Sequence, residues 1–410
     1  MTTDIFSVLR LPREVLFGED QVAAIGEVAA KHGSRALICT DARFAGTPAF
    51  AEIRRHLEEA SVAVHVFDGV EPDVPCENVY KCADFARSFG PDLVIGIGGG
   101  SCIDMAKCAS LILTHGGKLE DYYGEFKIPG RVLPIIAVPT TAGTGSEVTP
   151  VAVVSDSNRV LKVGISSPHI VPAAAICDPV LTWTCPPQLT AIAGADALTH
   201  AIEAYTAISR NADASLPQKH VFVGKNTFSD MFALKAITLI GRSLVAAYGG
   251  GSVPEARSDL MLGALTAGCA FATAGTSLAH AVQYPIGALT HTPHGLGVAA
   301  MLPYAMSYNR RIATRDMGDV AVALGIRRNG QSDDALSSAA IIKVQKLFEA
   351  VGIPANLKAL GLPEDKIDWT AEQAIGIGRL IKNNPRPIHL DSMKSLLQAA
   401  YRGEIDAAAL

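Results

Sequence analysis

The stretch LVIGIGGGSCIDMAKCASLIL, residues 93 to 113, runs an apolar, β-branched segment into consecutive glycines and then into an Ala- and Leu-rich helical pattern. A short apolar run that stops at glycine reads as a buried strand. Glycines at its end let main-chain N–H groups approach an anion, and the N-terminus of the helix that follows favours negative charge. Gly98, Gly99 and Gly100 are therefore candidates for a pyrophosphate cradle. The spacing is G-x-G-G-G-S rather than G-x-G-x-x-G, so a tight turn without ligand accounts for it as well. Ser101 and Asp104 have the S-x-x-D spacing of a capping box.

Outward from this stretch the same alternation repeats. RALICT (35–40), VAVHVF (62–67) and PIIAV (134–138) read as buried strands, separated by helix-length pieces such as PAFAEIRRHLEEA and CENVYKCADFARSFG. VAVVSD, VLKVGI and AAICDP carry strand character on to about residue 178. A β-α-β-α rhythm predicts a parallel sheet covered on both faces. Asp41 ends the strand RALICT, where a carboxylate can accept hydrogen bonds from a ribose hydroxyl and repel a 2′-phosphate; a turn residue is the equal alternative. PTTAGTGSEVTP (139–150) follows PIIAV and is too polar for a core. Such a loop can line a diphosphate or nicotinamide, or form a capped turn.

After CPPQLT strand signals almost vanish, which predicts a domain boundary near Pro187: an α/β domain over 1–187 and a helical one over 188–410. A chain of 410 residues suits two domains. The segment 208–228 is long for a helix connection, where about 2 to 8 residues is usual, and reads as a lid or a surface excursion.

The helical half holds the second constellation. In QLTAIAGADALTHAIEAY, Asp196 and His200 are four apart and share one helix face, a spacing that can bite one cation, although most such pairs are only a side-chain contact. From Leu260 to Asn309 there is no charged residue, yet GTSLAHAVQYPIGALTHTPHG (275–295) carries His280, His291 and His294. His280 is read as closing a helical run that Pro285 breaks, and PHG sets His294 just before the next helix. One Asp and three His in a charge-poor bundle suit a divalent transition metal such as Fe(II) or Zn(II).

Composition limits the alternatives. A net charge of −5 and pI near 6.1 leave no basic footprint for nucleic acid, so small molecules are the expected partners. Eight cysteines without a C-x-x-C pair read as buried thiols in a reducing, cytoplasmic setting. MTTDIFSVLRLPREV lacks the basic and apolar regions of a secretory signal. LMLGALTAGCAFATAGTSLAHAV exceeds the ~20 residues of a membrane span, but its Ala, Gly, Ser and Thr content and terminal histidine favour a buried helix bundle, and no membrane association is expected.

GGGSCIDMAK, PTTAGTGSEVT, DALTHAIEAY, the His280–His294 spacing closing in PHG, and NPRPIHLDSM together resemble the iron-containing (group III) alcohol dehydrogenases over nearly the whole chain. The resemblance implies an N-terminal nucleotide-binding α/β domain with a parallel sheet and an all-α C-terminal metal-binding domain, a dehydroquinate synthase-like architecture with cofactor and metal in the cleft between the two. It implies metal ligation by Asp196, His200, His280 and His294, and NAD(H) contacts from Gly98, Gly99, Gly100, Ser101, Asp104, Thr140, Thr141, Thr144, Ser146 and Lys162. Asp41 stands where an acidic residue favours NAD over NADP. The implied reaction is metal-dependent hydride transfer between nicotinamide and a small alcohol or carbonyl substrate, in a homodimer or larger assembly. Maleylacetate-reductase-like or hydroxyacid-oxoacid transhydrogenase chemistry is the alternative on the same fold.

Three departures from the family pattern stand out. Tyr284 occupies a position where many members carry a histidine implicated in proton relay, which leaves Tyr284 and His291 as candidates for proton transfer, with packing as the alternative role for each. Asp73, in EPDVPCEN, replaces a usual Asn. The longer 208–228 segment brings Lys219, His220 and Lys225, which either attract an anionic substrate or are solvated loop charges.

Overall fold

Among the described residues of the first half of the chain, nine strands form: Glu14–Phe17 (β1), Arg35–Cys39 (β2), Ala63–Phe67 (β3), Leu93–Gly98 (β4), Gly124–Glu125 (β5), Ile135–Pro139 (β6), Val151–Val154 (β7), Val163–Ser166 (β8) and Ala174–Cys177 (β9). The computed structural model describes residues 6–249 and 253–409, so the first five residues of the stretch read as lacking a secretory signal lie outside the described residues. Six strands pair in the order β1-β9-β6-β4-β2-β3, every pair parallel. This is the parallel α/β sheet expected from the repeating rhythm.

Period-two alternation divides the strand residues between two cores. Ile38 and Ile95 pack with Ile25 of helix α1 (Ile25–Ala30) and Ile53 of α2 (Pro48–Glu59). Leu37 and Val94 pack with Val79 of α3 (Cys76–Arg87) and Met105 of α4 (Gly100–His115). Helix α2 starts where the sequence provides for it: the Thr47 hydroxyl accepts from Phe50 N at 3.2 Å, and Pro48 occupies the first turn. All six residues of β4 are buried between β2 and β6. Register sets Gly98 beside Pro139, so the glycine turn and the polar 139–150 loop leave the sheet side by side.

Two details depart from the expected rhythm. VAVVSD and VLKVGI form β7 and β8, which pair antiparallel in a separate sheet, β5-β8-β7, because the short connection between them favours a hairpin over a crossover. β1, at the edge of the main sheet, is four residues, three half-buried and Val15 exposed, too short and too mixed for a strand signal.

The chain divides into two compact units. One takes Arg10–Cys185 with Gln218–Val221; the other takes residues 6–9, Pro186–Pro217 and the described residues from 222 to 409. Within the first, Gln218–Val221 is held by Arg10 Nη1, which donates to Val221 O at 2.9 Å, and by Val221 N, which donates to Glu125 Oε2 at 2.6 Å.

The second unit is helical and contains no strand among its described residues. Its leading helices are Pro187–Tyr205 (α5), Thr227–Tyr248 (α6), Pro254–Ala274 (α7), Leu278–Thr290 (α8) and His294–Asn309 (α9). The charge-free stretch takes in α7 from Leu260 onward together with α8 and α9, with most of α7 buried and α7 bent 101° against α8, so it is core rather than a straight span. The bend falls at Gly275, whose φ of +80° and 3.0 Å clearance from Phe222 Cβ at the Cβ position suit only glycine. Pro285 does not end the helix as its residue type suggested. Helix α8 opens at Leu278 and runs through Pro285 to Thr290, because buried neighbours on both sides, Gln283 and Ile286 among them, outweigh the one main-chain bond that proline forfeits.

Candidate cofactor and metal sites

The glycine turn has no room for side chains at Gly98 and Gly100. A Cβ on Gly98, where φ is +147°, would stand 2.5 Å from Cys102 Sγ, and one on Gly100 would stand 2.7 Å from Thr144 Cγ2. Thr141 Oγ1 lies 3.6 Å from the Cβ position of Gly99. Thr140 N donates to Gly98 O at 2.9 Å, joining the polar loop to the turn. Helix α4 begins at Gly100 with Gly99 as its N-cap, and Gly99 supplies no side-chain cap. The glycine backbone and uncapped helix start fit a phosphate group.

The expected capping box is absent. Helix α4 starts before Ser101 rather than after it, so Ser101 sits inside the first turn, and its hydroxyl accepts from Asp73 N at 3.2 Å. Asp104 is occupied elsewhere: Oδ1 accepts from Ser146 Oγ at 2.5 Å and Oδ2 from Val153 N at 2.9 Å.

Beneath the loop lies a residue that sequence reasoning missed. Lys107, fully buried, donates from Nζ to Ser146 Oγ at 2.8 Å, Thr149 O at 3.0 Å and Val151 O at 2.7 Å. Burial pulls its pKa down to about 8, against the opposing pull of Asp104 and Glu147. Burial also pushes the Glu147 carboxyl up to about 7, and raises Asp104. A lysine inside an otherwise apolar helical run was the available signal.

Asp41 caps the short turn Ala42–Ala45, accepting from Phe44 N at 3.0 Å, and its Oδ2 lies 3.7 Å from the Cβ position of Gly98. The turn role and a position at the glycine turn thus coexist. Lys162 Nζ is ion-paired with Asp73, the residue that departs from the family pattern. Asp73 itself has a φ of +64°.

In the helical unit, α5, α8 and α9 bring four side chains together. Asp196 Oδ1 lies 3.7 Å from His200 Nε2 and 3.7 Å from His280 Nε2, and the ligand atoms of Asp196, His280 and His294 lie within 4.8 Å of one another. The His280 ring lies 4.8 Å from that of His200 and 5.4 Å from that of His294, and His200 also stacks on Phe271 at 4.3 Å. Asp196, His200 and His280 are buried, and His294 is half-buried. Burial pushes the Asp196 carboxyl up to about 7, with His280 opposing and Glu203 adding to the rise. Neither Asp196 Oδ1 nor His280 Nε2 has a hydrogen-bond partner among the described residues. Buried acceptors left in this way are costly without a cation, and the oxygen and nitrogen donor set fits Fe(II) or Zn(II).

Main-chain contact fixes part of this geometry. At Gly295, next to His294, a Cβ would stand 2.6 Å from Ile192 O and 2.9 Å from Asp196 Cβ. Helices α5 and α9 therefore meet without a side chain between them at this point.

Of the remaining candidates, Tyr284 lies one turn beyond His280 on α8, its ring 6.1 Å from that of His294. His291 is exposed and forms the C-cap of α8 at φ +54°. Lys225 donates to Tyr205 O at 2.6 Å and Asp230 Oδ1 at 2.9 Å, so it is a packed internal cation rather than a solvated loop charge. Glu203, not singled out from the sequence, contacts His280 Nδ1 at 2.6 Å. Its signal was the seven-residue spacing from Asp196 on α5, two turns along the same face.

Residues 12–179 match the iron-containing alcohol dehydrogenase family model, and residues 190–401 match the model of that family's C-terminal part. The chain belongs to the iron-containing alcohol dehydrogenase family. It is 36% identical to long-chain-alcohol dehydrogenase 1 of Geobacillus thermodenitrificans, over 94% of this chain and 93% of that one. It is 32% identical to the NADPH-dependent butanol dehydrogenase of Clostridium saccharobutylicum, over 97% and 98% of the two chains. The solved alcohol dehydrogenase of Oenococcus oeni superposes with a TM-score of 0.90 at 30% identity, covering 97% of this chain and all of that one. As an iron-containing alcohol dehydrogenase the protein is an oxidoreductase of the class acting on alcohols, in a family that uses NAD(P)H and a divalent metal.

Proposed function

We propose that the protein is a divalent-metal-dependent, NAD(H)-linked dehydrogenase that interconverts a small alcohol and its aldehyde or ketone. The observation that carries this reading is the pair Asp196 Oδ1 and His280 Nε2, buried, without hydrogen-bond partners among the described residues, and grouped with His294 and His200. These four side chains would hold the metal. When bound, the nicotinamide supplies or accepts hydride, and Fe(II), or Zn(II) in its place, supplies Lewis acidity toward an alcohol or carbonyl oxygen.

The chain's own residues bind and orient. The amides of Gly98, Gly99, Gly100 and Ser101 face the pyrophosphate, and the hydroxyls of Thr140, Thr141 and Thr144 line the loop beside it. Asp104 and Ser146 act through that loop, since they bond each other at 2.5 Å. Asp41 accepts from the ribose and disfavours a 2′-phosphate, which selects NAD over NADP. Lys162, ion-paired with Asp73, would contact the cofactor when it is bound. Tyr284 is positioned beside His294 to move the substrate proton, with exposed His291 as the alternative group for that transfer.

Eight buried cysteines, none joined in a disulfide among the described residues, support a reducing, cytoplasmic setting. The open outer edge of β1 supports pairing between copies in a homodimer or larger assembly. The deciding experiment loads purified apo-enzyme with Fe(II) or Zn(II) and follows NADH oxidation with short aldehydes. Turnover should appear with metal, vanish with chelator and return on reloading; equal inertness of apo and loaded enzyme sinks the reading.

A further inference from the structure

We infer that Glu203 is a positioning residue for the metal site, one carboxylate that sets the tautomer of His280 and anchors the start of the helix that carries it. The inference rests on the metal reading above and extends it to a residue outside the ligand set.

Glu203 is 3% exposed and lies on α5, two turns beyond Asp196. Its Oε2 accepts from Ser277 N at 2.8 Å and its Oε1 from Ala279 N at 2.6 Å. These are two of the amides that every helix leaves without an internal partner at its N-terminus. Ser277, the N-cap of α8, does not cap with its own side chain, so Glu203 does this from another helix.

The same Oε2 lies 2.6 Å from His280 Nδ1. An ionised carboxylate can only accept, so Nδ1 must carry the proton, and in a neutral imidazole that leaves the lone pair on Nε2. Nε2 is the atom 3.7 Å from Asp196 Oδ1, with no hydrogen-bond partner among the described residues. Glu203 thus presents a lone pair to an oxygen acceptor, an arrangement that repels unless a cation lies between.

Replacement of Glu203 by Gln keeps an acceptor oxygen for one of the two helix amides and removes the charge that holds the ring. Titrated with Co(II) and followed by visible absorption, Glu203→Gln should bind Co(II) about 10-fold or more weakly than the wild type, with an altered spectrum. NADH affinity should be unchanged. A helix-capping role alone would lower the melting temperature of the apo-protein and leave Co(II) affinity and spectrum as they were, and that result overturns the proposal.

A second measurement reads the wild-type protein and needs no Glu203 variant. The ¹⁵N shifts of His280 in the wild-type apo-protein, assigned by their absence from His280→Asn, should report the Nδ1–H tautomer; an Nε2–H tautomer overturns the proposal. If the wild type itself takes up no Co(II), the metal reading fails, while the tautomer still decides whether Glu203 sets the ring.

Discussion

Lys107 Nζ donates to Ser146 Oγ at 2.8 Å from a side chain with no exposed surface, fastening helix α4 to the loop that follows β6. Four acceptors depend on that ammonium, two of them main-chain carbonyls and two hydroxyls. Lys107→Met leaves them unsatisfied at about 1–3 kcal/mol each, less whatever relaxation recovers. A loop that shifts by one such bond should weaken NADH by about tenfold, since ~1.4 kcal/mol is a factor of ten. Fluorescence titration with NADH reads this directly. Co(II) affinity should not change, because the ligand cluster belongs to the other unit.

On the proposed reading, Asp41 disfavours NADPH. Its carboxylate stands at the glycine turn, where a 2′-phosphate would bring like charges together. Asp41→Ala should raise kcat/KM for NADPH relative to NADH by about tenfold or more. Paired steady-state assays with the two cofactors test it; an unchanged ratio would show that discrimination lies elsewhere.

Glu147 predicts a pH dependence of stability. Its carboxyl titrates near 7 when folded, because of burial, and near ~4.3 when unfolded. The folded state therefore holds a proton that the unfolded state has released. The resulting stabilisation is complete below the unfolded value and is lost as pH rises through about 7. Glu147→Gln keeps the shape without the titration, so its melting temperature should fall less than that of the wild type over this interval. Lys107 acts in the opposite sense at higher pH: with a folded value of about 8, its contribution is present above the unfolded value of ~10.4 and is lost as pH falls through about 8.

Tyr284→Phe removes only the hydroxyl. If the phenol moves the substrate proton, kcat should fall by about 10²-fold, the lower end for positioned acid–base groups, with Co(II) affinity intact. His291→Ala should cost less and recover in imidazole buffer, because that ring is open to solvent. A Tyr284→Phe enzyme with full kcat would reduce the tyrosine to packing against His294.

Much of this was legible from residue order, and the exceptions have physical causes. β2, β3, β4, β6 and β9 announce themselves as apolar runs bounded by turn residues, and Asp196 and His200 by their helical spacing. The pairing of β7 with β8 was not legible, because the same β-branched run serves either sheet and only the short connection decides. Ser101 and Asp104 match a capping pattern that the true helix start at Gly100 disqualifies. Glu203 and Lys107 show the deeper limit. Glu203 meets partners 74 to 77 residues away, and Lys107 meets partners 39 to 44 residues away, several of them main-chain atoms with no identity in the sequence.

At Gly295 the contact between α5 and α9 works as a caliper. Because the main chain of one helix rests on the other, the spacing of Asp196 and His294 is insulated from changes of side-chain size elsewhere in the bundle. The same contact allows no tolerance at the point of touch: even an alanine methyl, placed 2.6 Å from Ile192 O, must pry the two helices apart and take one ligand with each. Redesign of the site for a larger ion would therefore begin with this glycine rather than with the histidines.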